Sequence, residues 1–195
     1  MKKFLFVAAL FCVALLSANS SAFAQKNLAF KGIEIDGQRT DVIQKLQAQK
    51  CTLNAEYHVM NCLQTMLKGS YTDIENCSIS IVSYNERVWQ MGVALPIVPT
   101  WNDVITQYDK FKSDFSIKYS LEPYPTEVSS TKGAIKWETY FVGPNGNVLL
   151  RVFDSGEAGF RLFIYYSSNS IPEEINKEEL MRSITNNMNT IHEDI

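Results

Sequence analysis

His58, Cys51, Cys62 and Cys77 carry the side chains of this sequence best suited to act as a base, a nucleophile or a soft metal ligand. A thiol next to an imidazole makes a nucleophile, because the base takes the proton as sulfur attacks. His58 with Cys51 or Cys62 is the pairing the spacing offers, since the other histidine, His192, stands almost at the C-terminus. The same residues read as a zinc site give C-x6-H and H-x3-C, which match no standard zinc pattern. Asp73 and Glu75 form an acidic pair, but a calcium loop needs more oxygen ligands than two, so a turn with solvated acids is expected there. The sequence contains no G-x-S-x-G, no H-E-x-x-H, no phosphate-binding loop and no strand-to-helix G-x-G-x-x-G. Gly156 and Gly159 sit in a hairpin connection, Asp154-Ser155-Gly156-Glu157-Ala158-Gly159, and read as turn residues. The expectation is therefore no catalytic residue, no metal and no cofactor.

A second kind of site is a face on which aromatic rings alternate with charges. Residues 135–142, 148–153 and 160–166 read as three strands, with Gly143-Pro144-Asn145-Gly146 as a tight turn between the first two. A two-residue turn at Pro144-Asn145 pairs Phe141 with Val148, Thr139 with Leu150 and Trp137 with Val152, and sets Glu138 opposite Arg151. Apolar meets apolar and opposite charges meet. The other face of these strands carries Lys136, Glu138, Tyr140, Leu149, Arg151, Phe153, Arg161, Phe163 and Tyr165. Tyr140, Arg151, Phe153, Arg161, Phe163 and Tyr165 are the candidate ligand-binding residues, because such a mixture is what a binding patch presents. It is also what remains where a helix partly covers a sheet. The C-terminal helix is available to do that, and this structural reading is the preferred one.

The elements that must position these residues follow from periodicity. Residues 30–35 alternate and end on the Asp36-Gly37 turn signal. A short helix follows, with Thr40 as N-cap, Val42, Ile43 and Leu46 as its apolar stripe, and an end near Lys50. Residues 51–97 read as β-structure, with turns at 73–76 and 85–87 and an alternating strand through Trp89, Met91, Val93 and Leu95. Thr100 and Asp103 then stand in capping spacing before an aromatic helix whose seam is Trp101, Val104, Ile105, Tyr108, Phe111, Phe115 and Tyr119. Residues 120–132, polar and holding Pro123 and Pro125, read as a loop. Pro172 opens a C-terminal helix with Leu180, Ile184, Met188 and Ile191 as its seam. The fold class is α+β: an antiparallel sheet built from two α-βββ halves, helices packed on one face, and a C-terminal helix.

Residues 1–24 read as a signal peptide. Lys2 and Lys3 precede an apolar run of about 13 residues, too short for the roughly 20 needed to span a bilayer, and Ala22-Phe23-Ala24 is an A-x-A site. Cleavage after Ala24 leaves residues 25–195, of a length that suits a single α+β domain, soluble and with no membrane span. The expected location is periplasmic or secreted. Without Lys2 and Lys3 the remaining chain has 16 basic and 21 acidic residues, a net of −5, which argues against nucleic acid as a partner. Cys51, Cys62 and Cys77 remain, an odd number that permits at most one internal disulfide. Cys62 and Cys77 come near each other if residues 62–82 form one hairpin about Gly69-Ser70. No pairing is selected by the sequence, and three small buried apolar residues is the simplest reading.

Phe30-Lys31-Gly32-Ile33-x-Ile35-Asp36-Gly37 leading into a helix resembles the opening of a group of uncharacterised exported proteins of gut Bacteroidetes. Leu67-Lys68-Gly69 followed by Cys77 and a strand fits the same pattern, as does the aromatic helix running into Lys118-Tyr119 with Pro123 after it. In that group the tyrosine is usually followed by glycine, whereas Ser120 stands here. The resemblance covers about residues 30–123 and implies this fold and an extracytoplasmic bacterial location, but no activity. The expected function is an exported non-catalytic binding or inhibitory module for a protein, peptide or glycan. The alternatives are a carboxylate-based hydrolase acting on cell-wall or dietary glycans, whose acids leave no sequence spacing, and a structural envelope protein.

Overall fold

The computed structural model describes residues 28–119, 122–127, 135–143, 145–169 and 176–190. The signal-peptide segment and His192 lie outside the described residues. In chain order the elements are β1 (Ala29–Phe30), β2 (Ile33–Glu34), α1 (Arg39–Ala48), β3 (Thr52–Val59), β4 (Cys62–Tyr71), β5 (Ile74–Tyr84) and β6 (Arg87–Ala94). There follow α2 (Trp101–Tyr119), β7 (Glu122–Glu127), β8 (Ile135–Gly143), β9 (Gly146–Asp154), β10 (Phe160–Ser168) and α3 (Lys177–Thr190).

Strands β3 to β10 form one antiparallel sheet in the order β3-β4-β5-β6-β10-β9-β8-β7. The order is palindromic. Each half is a helix followed by a four-strand meander, and the last strands of the two halves pair at the centre, with Ala94 opposite Phe163 and Gly92 opposite Tyr165. The α+β antiparallel architecture in two halves is as expected, but each half has one strand more than its local pattern shows. The extra strands, β3 and β7, are the two edges of the sheet. An edge strand has one unpaired side, so it needs neither a strong alternating pattern nor a full set of donors. This is why β7 runs through Pro123 and Pro125, in a segment expected to be a loop. Prolines two residues apart leave their missing N–H groups on one side of the strand, and an open edge accommodates that.

Helix α1 starts two residues earlier than a Thr40 cap implies, with Gln38 as N-cap and no side-chain cap bond. Tertiary contacts set this start: Arg39 N–H donates to Glu86 O at 2.8 Å, and the Arg39 side chain reaches Glu56 and Glu86. The first turn of the β4–β5 hairpin falls at residues 72–73, so Ile74 to Asn76 belong to β5. Helix α2 begins on the expected pair, with Asp103 N–H donating to Thr100 Oγ1 at 3.2 Å and the Thr100 hydroxyl donating to Asp103 Oδ2 at 2.6 Å.

The sheet is covered on both faces. On one, Val42 and Leu46 of α1 and Val104, Tyr108, Phe111 and Phe115 of α2 pack with Ile79, Ile81, Met91, Val93, Phe141, Leu150, Ile164 and Tyr166. The β1–β2 hairpin closes this layer through Phe30 and Ile33. On the other, α3 presents Leu180, Ile184 and Met188 to Met66, Val82, Ala94, Phe163 and Tyr165. Alternation of side chains along each strand divides the two layers, so neighbours such as Ile164 and Tyr165 enter different cores.

Candidate functional site

The face that the C-terminal strands present to α3 is built on the expected register. Trp137 pairs with Val152, Glu138 with Arg151, Thr139 with Leu150 and Phe141 with Val148. The turn between Gly143 and Gly146 holds that register, because a two-residue connection admits no slip without exchanging the faces. Glu138 and Arg151 form a cross-strand ion pair in which each side chain is only about a tenth exposed, at 9% and 10%. Tyr140 donates its hydroxyl to Glu138 Oε2 at 3.4 Å. Burial, and then the charge of Glu138, push the Tyr140 phenol up.

Rings continue the patch onto β10. Phe163 and Tyr165 stack with centroids 5.9 Å apart, and Phe153 meets Phe163 edge-on at 6.2 Å. The Arg151 guanidinium lies 6.0 Å from the Tyr165 ring centre. Arg161 is fully buried. Its Nε donates to Leu95 O at 2.7 Å and its Nη1 to Met188 O at 3.0 Å, and its guanidinium stands 5.7 Å over Phe163. Burial lowers the Arg161 pKa to about 10. Tyr165 is also fully buried, with its hydroxyl 2.8 Å from Thr185 Oγ1 of α3, and burial pushes its phenol up to about 12.

The six candidate ligand-binding residues thus share one face but not one environment. Arg161, Phe163 and Tyr165 lie under α3 with no exposed surface, and Arg151 is closed by its partner Glu138. With α3 in place Arg161, Phe163 and Tyr165 act as packing and anchoring residues for the helix. Gln64 adds to the anchor, donating to Ile184 O at 3.3 Å and accepting from Asn187 Nδ2 at 2.8 Å. Tyr140 and Phe153 lie beyond the helix and are half-buried, and Val142, on the same face of β8, is 55% exposed. The side chain of Lys136 lies outside the described residues.

The thiol–imidazole pair is not assembled. His58 is exposed on the edge strand β3, while Cys51 and Cys62 are buried in the cores on opposite faces of the sheet. Among the described residues no three histidines, cysteines, aspartates or glutamates converge as a metal centre requires. Asp73 is an exposed turn residue, its carboxyl held below the usual range chiefly by the Thr72 hydroxyl.

A cleft of about 450 Å³ lies where the β2–α1 turn, the start of α1, the β8–β9 turn and the end of β10 meet. Glu34, Asp36, Asp41, Lys45, Asn145 and Asn169 are among its lining residues. Asp36 is clamped by Arg87, which donates Nη2–H to Oδ2 at 2.7 Å and Nε–H to Oδ1, and its φ of 104° is one that few non-glycine residues adopt. Sequence reasoning missed this cleft. Asp36-Gly37 and the connection from Gly143 to Gly146 each read correctly as chain reversals, but nothing local indicates that the two meet.

No protein-family model, no curated protein and no solved structure matches this chain. The fold and the two surfaces described above define its class: an α+β protein with a two-sided antiparallel sheet. Among its described residues no helix is long and apolar enough to cross a membrane.

Proposed function

We propose that this chain is an exported, non-catalytic binding module, and that its contact surface is the strip of β8 and β9 that α3 leaves open. The observation that carries this reading is the pair of half-buried rings, Tyr140 and Phe153, with the exposed Val142 beside them and the Glu138–Arg151 pair beneath. Rings anchored by a rigid sheet contribute large contact area at low entropic cost, which suits a protein, a peptide or a glycan. Export rests on residues 1–24 and on the resemblance to exported bacterial proteins.

The test is a binding screen of the chain and of a Tyr140→Ser/Phe153→Ser variant against glycan arrays and displayed peptides. The expected outcome is a ligand bound by the parent and lost by the variant, with melting temperatures that differ little because both rings are only half-buried. Equal binding by both proteins rejects the strip. Export is tested by the N-terminus of the protein recovered from its host, expected at Gln25.

The cleft favours the second reading, a carboxylate-based hydrolase of glycans, because it gathers Glu34, Asp36 and Asp41. Hydrolysis needs two facing carboxyls free to exchange protons. Glu34 and Asp41 stand in solvent, and both oxygens of Asp36 are taken by Arg87, so the cleft supports this reading less well than the strip supports binding. Release of reducing ends from cell-wall or dietary glycans, abolished by Asp41→Asn, would reverse that order.

A further inference from the structure

The three described cysteines are buried free thiols. Cys62 belongs to the core under α3, whereas Cys51 and Cys77 belong to the core under α1 and α2. A Cys62–Cys77 bridge would have to cross the sheet, so the hairpin pairing considered from sequence does not arise.

Cys51 and Cys77 instead flank one glycine. Gly69 of β4 pairs directly with Cys77 of β5. Cys51, the residue just before β3, leans over the same glycine: a Cβ at position 69 would stand 2.7 Å from Cys51 Sγ, 3.3 Å from its Cβ and 3.4 Å from its Cα. Cross-strand partners hold their Cβ positions about 4.5–5.5 Å apart, so Cys77 Cβ lies at about that distance from the point over which Cys51 sits. The missing Cβ at Gly69 is what lets Cys51 lie over β4, on the side from which Cys77 is reached. A disulfide asks for Cβ atoms about 3.5–4.5 Å apart. Cys51 lies outside the ladder and can close in, while the Cys77 thiol, now pointing to Ile74 O at 3.4 Å, must turn about its χ1. Lys31 adds a charge: its Nζ is 3.8 Å from Cys51 Sγ and is held there by donating to Ser70 O at 2.7 Å.

We propose that Cys51 and Cys77 are a disulfide-forming pair that closes over Gly69 by exchange with a small external disulfide. Cys51 sulfur attacks one sulfur of the external disulfide, whose S–S bond breaks and releases one small thiolate. Cys77 sulfur then attacks Cys51 sulfur in the mixed disulfide and expels the second small thiolate. Two protein thiols are oxidised, one small disulfide is reduced to two thiols, and the two protein thiol protons end on those departing groups. Both sulfurs are buried, so the exchange belongs to the folding chain, before the β1–β2 hairpin and Lys31 settle over Cys51. The bond ties the exit of α1 to β5 across β4.

The experiment is refolding of the reduced, denatured protein in a buffer of reduced and oxidised glutathione, followed by alkylation in denaturant and non-reducing peptide mapping. The expected result is joint loss of alkylation at Cys51 and Cys77, a linked peptide pair containing both, and full alkylation of Cys62. The Cys62→Ser variant should give the same linked pair. The oxidised protein should melt at a higher temperature than the reduced one, and Cys51→Ser should abolish the difference. Cys51 and Cys77 remaining alkylated under conditions that oxidise a control dithiol, or a linked pair containing Cys62, would overturn the proposal.

Discussion

Glu138 of β8 and Arg151 of β9 are directly paired in the ladder, and their carboxylate and guanidinium meet within the α3-side layer with little access to water. Such a pair costs desolvation that its attraction roughly repays, but a single survivor leaves a buried charge unpaired. Arg151→Met is expected to lose about 3–5 kcal/mol, and adding Glu138→Leu should recover most of it. Urea melts of the two single variants and the double variant measure this coupling directly.

The seam of α2 is a second quantity to measure. Phe111 is buried between Tyr71 and Phe115, with ring centroids 5.7 and 6.1 Å away. Phe111→Ala should cost about 3–5 kcal/mol. Lys110 is exposed, with Asp73 as its ion-pair partner at 3.8 Å, so Lys110→Ala should cost less than about 1 kcal/mol. Similar small losses for both variants would show that the helix face is misassigned.

Gly92 sits where the two halves of the sheet join, and Tyr165 packs its ring directly on it. A Cβ at position 92 would come within 2.7 Å of Tyr165 Cδ1. Gly92→Ala is expected to destabilise by about 1–3 kcal/mol through overpacking, although alanine suits a strand better than glycine. A neutral or stabilising result in thermal melts would mean that the ring can move aside.

Reduced protein should weaken in mild alkali through Cys77. Burial raises this thiol from 9.0 to about 11. Below pH 9 the thiol is protonated in both folded and unfolded chains. From pH 9 to about 11 the unfolded chain releases the proton and the folded chain keeps it, so stability falls across that window. Cys77 should contribute on the order of 1 kcal/mol of that loss by about pH 10, and Cys77→Ala should remove this share while leaving the part due to Cys62 and to buried tyrosines such as Tyr165, which burial also raises. Arg161 acts in the opposite sense, but only above its folded value of about 10. Denaturant midpoints followed from neutral pH upward separate the two.

What could be read from the sequence was local. The β8–β9 register follows from one two-residue turn and the period of two on either side of it, and its pairings from Phe141 with Val148 to Trp137 with Val152 are present, including Glu138 with Arg151, until the ladder shifts and Ile135 meets Phe153. The seam of α2 from Val104 to Tyr119 and its Thr100–Asp103 cap follow from the helical period and a short-range hydrogen bond, whereas Trp101, also expected in the seam, is exposed in the first turn. Tertiary structure alone decided the rest. Strands β3 and β7 carry weak or proline-broken patterns because an edge is paired on one side only. Burial of Arg161, Phe163 and Tyr165 depends on α3 crossing the sheet, and alternation along β10 is the same whether a helix or water covers that face. The approach of Cys51 to Cys77 over Gly69, and of Asp36 to Asn145 across the cleft, joins residues far apart in the chain. No periodicity encodes such a meeting, because it is set by how whole elements pack.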